Sequence, residues 1–148
     1  MSVLSAPPTT LSRAAAVRFL QRATFGPTPE DTSRLMAIGL DAWFAEQSTA
    51  TMPQSHLDRR VQHGSPTYAL WEGFLAGPDQ LRKRIGYALS QIFVASLNGV
   101  GNSRMMAYAD LLEANAFGTY RDLIEHITRS QAMGEYLTYQ RNRAADPR

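Results

Sequence analysis

Helix start and stop signals recur along this chain at intervals that leave room for little but a helical fold. Thr28-Pro29-Glu30-Asp31 sets a cap, a proline at the first helical position and a carboxylate three residues past the cap. Gly77-Pro78 closes one segment and opens another, and Thr119 with Asp122 repeats the capping pattern. Between these signals apolar residues recur at helical spacing, and the alternation of a strand is nearly absent. The reading is all-α: an irregular multi-helix bundle of about seven to eight helices, with no sheet.

The punctuation divides the chain as follows. Residues 1–11 read as a disordered N-terminal tail, 12–140 as the helical domain and 141–148 as a polar tail. Ser12 caps a helix to about Ala23, and Thr28 caps a second that ends at Gly39. A short third helix, capped by Asp41, presents Trp43 and Phe44. Residues 48–64 read as one long, mobile polar connection with a helical turn near His56–Gln62. A fourth helix runs from Pro66 to Gly77. The longest runs from Pro78 to about Asn98, with Leu81, Ile85, Ala88, Ile92 and Ala95 on one face. It is apolar on further sides and so reads as the central helix. Three more follow, from Ser103 to Gly118, from Thr119 to about Arg129 and from Gln131 to about Tyr139. Trp43, Trp71, Phe74, Phe93 and Leu112 are the expected core.

Composition narrows the function classes. With no cysteine among 148 residues, disulfides, thiolate zinc sites and cysteine nucleophiles are excluded. The net charge of +2 is spread evenly: six arginines against five acids in residues 1–60, four basic against four acidic in 61–118, five against four in 119–148. Nucleic-acid binding needs basic residues gathered on one face, and only Arg82-Lys83-Arg84 forms a cluster, so no nucleic-acid partner is expected. The longest apolar run, Ile92 to Leu97, is far short of a membrane span. Met1 to Ser12 has neither the positive charge nor the apolar centre of an export signal, and the chain as written would stay in the cytoplasm.

No catalytic motif stands out. His56 and His63, with Asp58 and Glu72, match no standard ligand spacing and read as solvated loop residues, so neither metal nor cofactor is implied. Glu125 and His126 are neighbours on a helix and point about 100° apart. Gly99-Val100-Gly101-Asn102 joins two helices and lacks the lysine of a phosphate loop. Glu72, Asp79, Asp110 and Glu113 could supply paired carboxylates, as any protein with 13 acids could. The candidate ligand-binding residues are Arg84 and Gln91, seven apart on a polar seam of the central helix. They read either as a network pinning helices or as a pocket wall for an anionic group.

Five blocks carry a resemblance. Arg18-Phe19-Leu20 with Ala23-Thr24-Phe25-Gly26-Pro27-Thr28 is the first, and Gly77-Pro78-Asp79-Gln80-Leu81-Arg82 running to Val94 is the second. Ala116-Phe117-Gly118, Ala132-Met133-Gly134 and Asn142-Arg143 with Ala145-Asp146-Pro147 follow. In this order they resemble the bacterial family catalogued as "domain of unknown function 1800". The resemblance implies fold and context, not mechanism. Family members are longer, so the chain is expected to be an N-terminal portion ending at an apparent truncation point. Many are exported and encoded beside a sulfatase-like family, which implies a protein partner of that kind.

Three functions are compatible with these observations. The leading one is a helical scaffold or interaction module acting with a partner or with a missing C-terminal part. The second is the N-terminal portion of a hydrolase acting on a polymer or sulfated substrate. The third is a helical bundle that binds a small ligand or anion.

Overall fold

The computed structural model describes residues 11–75, 77–140 and 142. Except for Leu11 and Asn142, both expected tails lie outside the described residues. Eight helices and no strand are present among the described residues: α1 Arg13–Ala23, α2 Pro29–Thr49, α3 His56–His63, α4 Pro66–Leu75, α5 Gln80–Ile92, α6 Asn102–Ala114, α7 Tyr120–Arg129 and α8 Gln131–Tyr136. Among the described residues no helix is long and apolar enough to cross a membrane.

The caps act where the residues promise them. Thr28 Oγ1 accepts from the Asp31 N–H at 3.1 Å while an Asp31 carboxylate oxygen accepts from the Thr28 N–H at 3.0 Å. The Ser12 and Thr119 hydroxyls accept the N–H groups of Ala15 and Asp122 and so cap α1 and α7. The second and third helices of the sequence reading form one element, α2, with a break at Gly39, where φ is +79°. A residue with a Cβ resists that conformation.

Two expectations are corrected. The helical turn expected near His56–Gln62 is a full helix, α3, so residues 48–64 are not one long connection: α2 extends to Thr49 and His56–His63 is helical. Ser55 Oγ accepts from the Asp58 N–H at 3.0 Å, and Gly64 at φ +73° closes the last turn. The long central helix also stops early, at Ile92 instead of Asn98. Tyr108 donates its hydroxyl to the Phe93 carbonyl at 2.9 Å, an acceptor that continuing the helix would require. The chain then turns so that the Ser96 carbonyl receives the N–H groups of Gly99 and Val100, and Val100 enters the core.

The apolar core is divided. Ala16, Leu20, Ala23, Leu35 and Trp43 form one cluster under α1 and α2, with Leu11 packed against it. Val100, Tyr108, Leu112, Leu123, Ile127, Ala132 and Met133 form another under α6, α7 and α8. Trp43, Phe74 and Leu112 are buried as expected, Phe93 is half-buried, and Trp71 is 53% exposed. Trp71 sits on the outer face of α4, where its ring meets Phe74 edge-on and otherwise faces outward. The most deeply buried residues of α5 are Lys83 and Gly86, while Ile92 on the expected apolar face is exposed. The reason is a polar layer where α3, α4, α5 and α6 meet.

Candidate functional site

The polar layer begins with the capping of α3. Its first turn leaves backbone N–H groups without helical partners, and two of them are satisfied from a different helix. Asp110 on α6 accepts the His56 N–H through Oδ1 at 2.7 Å and the Leu57 N–H through Oδ2 at 3.2 Å. A carboxylate at a helix N-terminus also meets the positive end of the helix dipole. Burial pushes the Asp110 carboxyl above the usual range, and Glu113 adds to this against the opposing N–H bonds and the His56 charge.

This seating sends the His56 imidazole inward, with 1% of its surface exposed. Nε2 lies 2.6 Å from Oε1 of Glu113, and Nδ1 lies 3.3 Å from the carbonyl of Ala69. A backbone carbonyl only accepts, and so does an ionised carboxylate. Both ring nitrogens therefore donate, which is the state of the imidazolium. Burial alone would lower the His56 pKa, but the Glu113 hydrogen bond and the charges of Glu113 and Asp110 outweigh it and hold it above 6.5. A buried charge is tolerated only when paired and hydrogen-bonded, and here it is both.

Two glycines make the room. A Cβ on Gly73 of α4 would lie 2.3 Å from Cε1 of His56, and one on Gly86 of α5 would lie 2.6 Å from Cγ of Glu113. Beside this pair Lys83 and Asp79, both sealed from solvent, form an ion pair at 2.9 Å, a charge contact without hydrogen-bond alignment. Arg82 donates to the Glu113 carbonyl at 3.3 Å and lies over the Phe117 ring.

Glu113 also forms part of the wall of a cavity of about 250 Å³ between α4, α5 and α6. Its other walls are largely apolar, among them Phe74, Tyr87, Met105 and Leu112. Oε1 of Glu113 is taken by His56, and no described residue hydrogen-bonds Oε2. The cavity thus has an apolar body and one strong acceptor, suited to a ligand that donates a hydrogen bond.

Arg84 and Gln91 are placed apart. Arg84 donates to the Arg22 carbonyl at 3.3 Å and lies over the rings of Phe25 and Tyr87, tying α5 to the end of α1. Gln91 contributes to the cavity wall, and its amide donates to Ser90 Oγ at 3.2 Å. The reading of His56 as a solvated loop residue is corrected. His63 stays near the surface, 3.1 Å from Glu72 and against the Tyr68 ring. Glu125 pairs with Arg129, and His126 meets Asn115 at the end of α6. Gly99 and Gly101 lie in the connection before α6. Of the four acids named from sequence, Asp110 and Glu113 come together on His56. The helical turn at His56 was expected; the overlooked signal was the three-residue spacing of Asp110 and Glu113, which puts both carboxylates on one helical face.

Asp110 gives both oxygens to backbone N–H groups, so these side chains do not converge as ligands. Among the described residues no group of three His, Cys, Asp or Glu side chains could hold a metal ion. No curated protein and no solved structure matches the chain. A family model does match, over residues 18–147, and the chain therefore belongs to the family described as "Protein of unknown function (DUF1800)".

Proposed function

We propose that this chain is a helical interaction module that docks a polypeptide partner on the outer face of α4. The observation that carries the reading is a stripe of large apolar side chains. Tyr68, Trp71 and Leu75 are spaced three and four apart, so they share one face, and they are 54%, 53% and 68% exposed. Isolated exposed apolar residues are ordinary, but a contiguous stripe with a tyrosine and a tryptophan has the composition of an interface centre. The acid within the stripe, Glu72, is engaged by His63 and lies near Arg59, which lowers the cost of covering it.

The partner we assign is an amphipathic helix of a sulfatase-like protein, the kind of neighbour implied by the family resemblance. A hydrolase centre within these residues draws less support, because His56 donates through both nitrogens and has none free to accept a proton. An anion site draws less as well, since the strong polar group at the cavity is a carboxylate.

Co-expression with a sulfatase-like protein from the same genome, followed by size exclusion with light scattering, tests the reading. The expected result is one co-eluting complex that Trp71→Ser with Leu75→Ser abolishes while leaving the helical circular dichroism unchanged. Separate elution of the two native proteins, or a complex indifferent to the double substitution, overturns it.

A further inference from the structure

We infer that the cavity between α4, α5 and α6 is the anchor pocket of this docking face and receives a tyrosine side chain of the partner, whose hydroxyl donates to Glu113. The inference rests on the docking reading above and names the residue that the face selects.

Size, shape and polarity point the same way. A dry cavity of about 150 Å³ admits benzene. One of about 250 Å³ has room for a phenol ring and its methylene. Phe74 joins the pocket to the docking stripe, because it contributes to the pocket wall and meets Trp71 edge-on at 6.1 Å. A side chain entering from the stripe therefore passes one continuous apolar surface. Met105 and Met106 supply soft walls that adapt to a flat ring.

The acceptor decides which ring. Glu113 is 3% exposed, and Oε2 has no hydrogen-bonding partner among the described residues. Filling the pocket with a phenylalanine would strip water from that oxygen and give nothing back, a cost that a hydroxyl removes. The neighbouring charges balance in number, His56 and Arg82 against Glu113 and Asp110. A neutral donor fits that balance better than an ammonium group, and the tyrosine hydroxyl is the neutral donor carried on a ring of this size.

The test uses the chain alone, so it can fail without the partner complex failing, and the reverse. Binding of p-cresol, toluene, indole and N-acetyltyrosinamide is followed by amide chemical shifts of residues around the pocket. The expected result is p-cresol binding roughly tenfold or more tighter than toluene, with N-acetyltyrosinamide retained and indole weaker. Ala109→Phe, which fills the pocket, should abolish the shifts, and Ala95→Leu serves if that variant does not fold. Equal affinity for p-cresol and toluene overturns the inference, as does no binding of either at about 10 mM, the range accessible to ligands this small. Tighter binding of indole overturns the choice of tyrosine. Binding of p-cresol without N-acetyltyrosinamide overturns the assignment to a partner side chain, because the pocket would then take a free phenol only.

Discussion

Nε2 of His56 and Oε1 of Glu113 are 57 positions apart in the chain and 2.6 Å apart in the fold, with both side chains almost sealed from solvent. This contact joins α3 to α6, and Asp110 holds the same two helices together through the N-terminus of α3. Removing one member leaves the other as an uncompensated buried charge. His56→Ala or Glu113→Ala should each cost about 3–5 kcal/mol of unfolding free energy. The double substitution should cost clearly less than the sum of the two. Urea denaturation of the three variants checks this, and additive costs would mean the pair is not coupled.

Three glycines separate two reasons for lacking a side chain. In an ordinary helix, replacing glycine with alanine gains up to about 1 kcal/mol. Gly73→Ala and Gly86→Ala should instead destabilise by about 1–3 kcal/mol, because the added methyl meets the His56 ring or the Glu113 side chain. Gly39→Ala has open space and should still lose about 1–2 kcal/mol, through its positive φ alone. Thermal and urea unfolding of the three variants distinguishes the causes. A second substitution, His56→Ala, should relieve Gly73→Ala and leave Gly39→Ala unchanged.

The buried histidine gives stability a direction with pH. The folded pKa of His56 lies above 6.5, so its contribution is complete below that pH and is lost as pH rises through the folded value. The Asp110 carboxyl, also raised, has the same sign in a lower window that begins at 3.8. Unfolding free energy should therefore fall from pH 6.5 towards alkaline pH, by at most about 1.4 kcal/mol per pH unit for this one proton. His56→Gln should flatten that slope. A slope unchanged in His56→Gln would assign the effect elsewhere.

The capping box of α2 provides a surface control. Thr28→Ala removes the acceptor for the Asp31 N–H and should cost about 1 kcal/mol. Thr28→Ser should restore most of it, and urea midpoints are sufficient to measure both. A neutral Thr28→Ala would mean that Asp31 alone holds that turn.

The local grammar was legible in the residues: an all-helical chain, the caps at Ser12, Thr28 and Thr119, and the break at Gly39. These follow from contacts within four residues, which composition and spacing encode directly. The family was legible as well, through blocks distributed over the chain. Which polar residues lie inside depends on long-range packing. His56 lies in a stretch of Ser, Gln, Arg and Asp that reads as solvated, and it is buried because Asp110 and Glu113, more than fifty residues later, satisfy its backbone and its ring. Gly73 and Gly86 look like weak helix positions until that pair fills the space beside them. Trp71 reads as core by its type and lies on the surface, because among the described residues no helix packs against its face of α4. Helical periodicity records that a residue repeats on a face, and burial of that face depends on which distant element packs there.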